Sequence, residues 1–243
     1  MFQPNFFFER KIWKLGYKVV AGCDEVGRGC FAGPIVAGCV AFPSKSKEKD
    51  FFSVKIDDSK KLSEKKRLKA NEWIKDKSLV WGIGEVSATM INKIGMSKAT
   101  KMAFRKAIAN ANYKLKNKNL RRIDYLLLDA FYIPYVRGIR MPLRKEKIRT
   151  KKIKRIKNPN LSGSQLAIVN GDEKSLSIAA ASVIAKVYRD KLMIDLGKKL
   201  NFKKYGWENN KGYGTKSHRQ AIAKYGISKY HRKIFVDSFF KNR

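Results

Sequence analysis

Residues 18–33 read KVVAGCDEVGRGCFAG. Lys18 to Cys23 is short, β-branched and apolar, the pattern of a buried strand. Two carboxylates, Asp24 and Glu25, follow it directly, and then comes the turn Gly27-Arg28-Gly29. Ile35 to Phe42 is predicted as a second strand beyond that glycine-rich connection. Leu79 to Val86 is predicted as a third and Asp124 to Asp129 (DYLLLD) as a fourth, closed by an acid. Leu166 to Val169 is a short fifth. Helices are predicted between and after them. One is capped by Ser63, with Leu68, Trp73 and Ile74 as its apolar positions. A longer one covers Ser97 to Leu115, with Met102, Ala103, Ile108 and Ala109 marking one face. A third runs from Lys174 to about Leu200, alanine-rich in its first half and so able to lie close to a neighbour. Thr215 caps another helix, which Gly226 ends. Strands alternating with helices in this way build an α/β layer around a mixed sheet.

The chain has 243 residues, of which 44% are hydrophobic and 12% aromatic, enough for a core and too many for wholesale disorder. Its 55 Lys and Arg against 20 Asp and Glu give a net charge of +35. No fold requires that imbalance. A polyanionic partner does, nucleic acid before an anionic membrane. The longest apolar runs, Phe31–Phe42 and Leu176–Ala185, fall short of the ~20 residues of a membrane span. The aromatic and basic N-terminus lacks the marks of a signal peptide, and its aromatics are expected to pack a short helix onto the domain. Cys23, Cys30 and Cys39 form no Cys-x-x-Cys pair, and the chain has only two histidines, His218 and His231. A disulfide framework and a zinc cage are therefore not expected, and a reducing cytosol is the expected location. The run Arg144–Lys157 (RKEKIRTKKIKRIK) carries nine cations and one glutamate. It reads equally as a solvated insertion or a nucleic-acid contact.

A chain this basic has few acids, so their placement is informative. Asp24 and Glu25, Asp129 and Asp172 all stand at or just beyond predicted strand ends, where open α/β sheets bind their ligands. Oxygen donors without His or Cys suit Mg²⁺ or Mn²⁺. Four carboxylates and a polyanionic substrate point to two-metal phosphodiester cleavage. Taken singly, an acid at a strand end is more often a turn-former or helix cap than a catalytic group. Adjacent strand residues point to opposite faces, so Asp24 and Glu25 share a site only if the strand ends or bulges there. The glycines at 27, 29 and 33 have the wrong spacing for a dinucleotide fingerprint. No G-x-S-x-G elbow is present, and the two histidines support no nucleophilic triad.

The blocks AGCDEVGRGCFAGPIVAG, DDSKKLSEKKR, LLLDAF, GDEKSLSIAAASVIAKVYRD and NKGYGTKSH occur in the order found in the type 2 ribonucleases H. The resemblance runs from about Val19 to Phe235. It implies an RNase H-like mixed sheet flanked by helices, with a helical C-terminal extension. On that pattern residues 1–17 are an N-terminal segment, 18–200 the catalytic domain with a basic insertion at 144–164, and 201–243 the helical part. It also implies Mg²⁺- or Mn²⁺-dependent cleavage of the RNA strand in RNA/DNA hybrids and of single ribonucleotides in duplex DNA. The cut would fall 5′ of the ribonucleotide and leave 3′-hydroxyl and 5′-phosphate ends, two ions assisting. The metal-binding and catalytic set carried over is Asp24, Glu25, Asp129 and Asp172. Gly27, Arg28, Gly29 and Tyr213 would read the 2′-hydroxyl at the RNA-to-DNA junction. Lys60, Lys61, Ser182 and Lys186 are the expected phosphate contacts. Asp190 is expected to pair with Arg189 or Lys186 instead. The chain departs from the family at Cys30, where proline is usual, and at Asn170, where a lysine often stands. Asp129 and Asp172 are also further apart than expected, because of the insertion. The expected protein is a cytosolic monomer acting on nucleic acid. The type 3 ribonucleases H and a non-catalytic basic nucleic-acid binder are the alternatives.

Overall fold

The computed structural model describes residues 3–48, 54, 56, 57, 59–139 and 164–241. The basic run 144–157, and all of the 144–164 insertion but its last residue, lie outside the described residues. The chain runs α1 (Phe7–Lys14), β1 (Val20–Val26), β2 (Ile35–Ala41), α2 (Glu64–Lys77), β3 (Val80–Val86), α3 (Ala88–Ile94) and α4 (Met96–Asn117). It continues through β4 (Tyr125–Asp129), β5 (Gln165–Ile168), α5 (Leu176–Gly197), α6 (Trp207–Asn210), α7 (Lys216–Tyr225) and α8 (Lys233–Lys241). The sheet order is β3-β2-β1-β4-β5. The first three strands pair antiparallel, while β1, β4 and β5 run parallel. This is the mixed sheet expected. No helix among the described residues is long and apolar enough to cross a membrane.

Side-chain caps start the helices where the sequence says they should. Ser63 accepts from Lys66 N and Thr215 from His218 N, and Ser87 and Ser175 cap α3 and α5 in the same way. Two helix faces differ from expectation. Helix α4 buries Ala103, Phe104, Ala107, Ile108, Ala111 and Leu115, while Ala109 is exposed. One residue is 100° of helix, so Ala109 is carried past the stripe that its neighbour Ile108 occupies. Leu68 is 47% exposed, because α2 touches α5 only along a narrow line through Ala70 and Ile74, and Leu68 lies on the far side.

Helix α5 lies unusually near the sheet, and two glycines are the reason. A Cβ on Gly22 would stand 2.2 Å from the Ser177 carbonyl carbon, and one on Gly38 2.2 Å from the Ala181 oxygen. The alanines of the first half of α5 leave no bulk on the other side of this contact. The close approach carries the next turn of α5 to the end of β1. Helix α1 closes the other end of α5, burying Phe8 and Ile12. Its buried Glu9 accepts from Ser177 N at 3.0 Å and from the hydroxyls of Ser175 (2.7 Å) and Ser177 (2.6 Å). Burial pushes the Glu9 carboxyl up, and these bonds oppose it.

The C-terminal part closes on a buried histidine pair. Trp207 Nε1 donates to His218 Nε2 at 3.0 Å, and the two Nε2 atoms of His218 and His231 are 3.2 Å apart. Ser228 N donates to His231 Nδ1, so His231 carries its proton on Nε2 and donates to His218. His218 Nδ1 then donates to the Tyr213 carbonyl at 2.9 Å. Every ring nitrogen is used with both rings neutral. Burial, and then the neighbouring His218, hold His231 down at about 4, and burial lowers His218 as well. A histidine depressed on folding takes up its proton more readily when unfolded. The stability it confers is complete above the ordinary value near 6.5 and is lost as pH falls from there towards about 4. The pair's own contribution to this loss is expected to be roughly 2–3 kcal/mol, set against the raised carboxyls of Glu9, Asp24 and Glu25, which act in the opposite sense. His231→Gln should be less stable at pH 7.5 but show a flatter profile. Denaturant midpoints at pH 7.5, 6, 5 and 4 check this, and parallel profiles would remove the pair as the cause.

Candidate active site

Strand β1 is longer than its sequence suggests, and the site depends on that length. Asp24 and Glu25 lie inside β1 and not after it: they pair with Gly38 and Ala37, and Val26 pairs with Val36. On the other side the ladder with β4 stops at Cys23–Leu128. The acids are therefore held in regular register by β2 while the β4 side is already open. No bulge is needed for Asp24 and Glu25, on opposite faces, to reach the same opening. Strand β4 ends at Asp129, whose Oδ1 accepts from Gly171 N at 2.8 Å. That bond draws in the short 3₁₀ turn Gly171–Glu173, which carries Asp172. Asn170 enters the turn at φ 54°, ψ 50°. Asparagine tolerates this left-handed conformation better than lysine, which gives the departure at 170 a local reason.

The result is an open cavity of about 570 Å³. Its lining includes Asp24, Glu25, Asp129, Asp172, the Gly27-Arg28-Gly29 turn, Lys60, Ser182, Lys186 and Tyr213. Every residue singled out from the sequence is there except Lys61, whose Nζ pairs with Glu173 at 2.6 Å. The sequence reading missed Val26 and Ser59 in the lining. Ser182 is buried, its hydroxyl bonded to Ser59 at 3.0 Å and to Asp24. Lys186 sits 2.8 Å from Asp190 and 5.4 Å from the centre of the Tyr213 ring. Asp190 pairs with Lys186 as expected, and also with Arg67 at 3.5 Å. Arg189, the other expected partner, instead donates to the carbonyls of Ala32, Pro34 and Lys211.

The electrostatics of the acids are costly. Burial pushes the Asp24 carboxyl well up, and the charges of Glu25, Asp129 and Asp172 add to this against the Ser182 bond. Burial raises Glu25 as well, with Arg28, 3.3 Å away, opposing. The donor set fits a hard divalent cation: carboxylate oxygens, no imidazole or thiolate among the described lining residues, and repulsion that a cation would relieve. As they stand, no three Asp, Glu, His or Cys among the described residues form a ready metal cluster. The fit is one of chemistry and not of a preformed cage.

Two buried arginines hold the glycine turn, and neither was legible as functional. Arg232 donates to the carbonyls of Gly27, Arg28, Gly33 and Pro34 at 2.6–2.9 Å. Gly27 has φ +92°, and a Cβ there would meet Arg189 Nε at 2.3 Å. A Cβ on Gly29, by contrast, would meet no atom of the described residues within 4 Å. A rigid frame on one side and a bare backbone on the other leave the turn accessible to a ligand. Cys30 is buried and shares a hydrogen bond with the Tyr213 hydroxyl, which burial pushes up to about 12.

This arrangement has a known counterpart: residues 21–242 match the family described as Ribonuclease HII. The chain belongs to the Ribonuclease HII family. Ribonuclease HII of Caldanaerobacter subterraneus subsp. tengcongensis is 40% identical over 97% of this chain and 81% of its own length. Ribonuclease HII of Alkaliphilus oremlandii is 39% identical over 96% of this chain and 98% of its own. Among solved structures, ribonuclease H2 from Pyrococcus horikoshii OT3 superposes with a TM-score of 0.63 at 20% identity, over 92% of this chain and 98% of that one. That likeness shows the shared fold. As a Ribonuclease HII the chain is a hydrolytic nuclease with ribonuclease H activity on RNA/DNA hybrids, which sets aside the type 3 and non-catalytic alternatives.

Proposed function

We propose that this Ribonuclease HII cuts on the 5′ side of a ribonucleotide, in hybrids and at single ribonucleotides within duplex DNA, leaving 3′-hydroxyl and 5′-phosphate ends. The observation that carries the reading is the overhang of β1 beyond β4. It brings Asp24, Glu25, Asp129 and Asp172 to one cavity with the Gly27-Arg28-Gly29 turn and Tyr213. Two divalent ions, Mg²⁺ or Mn²⁺, held by the four carboxylates would activate the attacking water and stabilise the leaving oxygen. Ser182 orients Asp24 from α5, and Arg28 holds Glu25. The bare face of Gly29 lets backbone groups approach the ribose, whose 2′-hydroxyl both donates and accepts. Lys60 and Lys186 line the same cavity and supply positive charge for the phosphates. The proposed enzyme acts as a monomer, with every residue named for the site supplied by one chain.

Tyr213 is proposed to sense the junction by packing against the deoxyribose next to the ribonucleotide. It is 39% exposed and framed by Lys186 and Arg189, so its face is fixed before substrate arrives. Tyr213→Ala should lower kcat/KM at a lone ribonucleotide by at least tenfold, about 1.4 kcal/mol. Affinity for the same duplex, set mainly by phosphates, should change less than threefold. Steady-state kinetics beside Kd in a chelator decide it. Equal losses in both would make Tyr213 an ordinary contact.

A further inference from the structure

The loop that leaves Asp129 also builds a second cavity, of about 410 Å³, against α4. Residues Arg105, Ala109, Asn112 and Lys116 of α4 recur at a helical spacing and form one wall. Tyr135, Val136 and Arg137 of the loop form the other, and Arg122 stands at one end. Ile108 and Val136 add apolar surface. No acid among the described residues lines this cavity. Among the described residues, none of Arg105, Lys116, Arg122 and Arg137 pairs with a carboxylate. Arg105 already donates to the Pro134 carbonyl at 3.2 Å, yet the four like charges around one opening still repel each other and are stabilised when an anion enters. Two tyrosines stand at the same opening, Tyr113 at 65% and Tyr135 at 90% exposure. Tyr135 has φ +60°, a costly conformation for a bulky residue, and is held in it with its ring in solvent.

We propose that this cavity binds a single strand of nucleic acid, with a base stacked on the tyrosines and neighbouring phosphates on the four cations. Basic walls with interleaved exposed aromatic rings are what sequence-tolerant single-strand binding requires. The volume suits one nucleotide unit, and four cations exceed what one phosphate needs, which favours a strand over a free nucleotide. The placement also suits a strand. The loop starts at the catalytic acid Asp129 and passes Phe131, which lies 6.0 Å from the Arg28 guanidinium and 5.4 Å from Phe104, before it reaches Tyr135. One loop thus borders both cavities, so an unpaired flank of a substrate could run along it from one to the other.

The test uses the whole protein, a chelator and a fluorescein-labelled all-DNA oligothymidylate of about a dozen residues, so it is independent of catalysis. Anisotropy is compared for the parent, Tyr113→Ala/Tyr135→Ala and Arg122→Gln/Arg137→Gln, all at exposed positions. The tyrosine pair should weaken single-strand binding at least tenfold and leave a blunt DNA duplex within twofold. The arginine pair should weaken it too and flatten the slope of log Kd against log salt by about 1.4, two phosphates on a single strand. Thymidine monophosphate at the same nucleotide concentration should fail to displace the strand. Single-strand binding unchanged within twofold by the tyrosine pair would overturn the proposal. So would equal losses on strand and duplex, which would mean a general basic surface. Displacement by the monophosphate would overturn the strand in favour of a free nucleotide.

Discussion

Asp24→Asn is expected to lower kcat on a hybrid by at least a thousandfold, about 4 kcal/mol of transition-state stabilisation. The change keeps the size of the side chain and removes one of four charges that crowd the cavity. Binding of duplex in a chelator should stay within threefold, because phosphate contacts carry affinity. Stability should not fall. Asp24 is buried against Glu25, Asp129 and Asp172, so a neutral side chain relieves repulsion, and the melting temperature should hold or rise. This pairing of lost activity with kept stability separates a catalytic acid from a structural one. A variant with a tenth of the parent turnover, or one that melts several degrees lower, contradicts the role given to Asp24.

Arg232→Met is expected to give the largest loss of stability. Its guanidinium, buried and held down at about 10 by that burial, satisfies four main-chain carbonyls across the turn that presents Gly29. Methionine fills much of the volume but leaves those carbonyls without donors in a dry setting. Each unsatisfied group costs about 1–3 kcal/mol, partly recovered by relaxation, so the sum is on the order of 4 kcal/mol. For a chain of this size that is roughly 8–16 °C in melting temperature. The folded fraction should also cut poorly, since the turn loses its frame. Thermal melts with kinetics well below the new midpoint check both, and a shift under 3 °C would show that the turn stands without Arg232.

What the sequence disclosed, and what it hid, follow from the range of the interactions. The strands and caps were legible because hydrophobic alternation and Ser63 or Thr215 act within a few residues. The acids were legible because carboxylates are rare in this chain and each stood beside an apolar run. The length of β1 was not. Asp24 and Glu25 look like a strand terminus, and only pairing with Gly38 and Ala37 keeps them in the ladder. The exposed positions of Leu68 and Ala109 depended on which side of α2 and α4 meets a neighbour, and no local pattern carries that. Arg232 was hidden most completely. Its partners lie some 200 residues earlier in the chain, and among 55 basic residues nothing marks the ones that turn inward. Asp190 was half read. Its bond to Lys186 is an i,i+4 helix pair, whereas Arg67 comes from a distant helix.

Four carboxylates at the open end of β1 are proposed to carry out metal-assisted hydrolysis next to a ribonucleotide. The most direct measurement incubates the protein with a DNA duplex containing one ribonucleotide, with Mg²⁺ and with a chelator, and identifies the product ends. Cleavage on the 5′ side in Mg²⁺ alone, with 3′-hydroxyl and 5′-phosphate ends, is the predicted result. Cleavage that persists in chelator, or a 2′,3′-cyclic phosphate at the cut, would make the ribose hydroxyl the nucleophile and rule out metal-assisted hydrolysis by the four carboxylates.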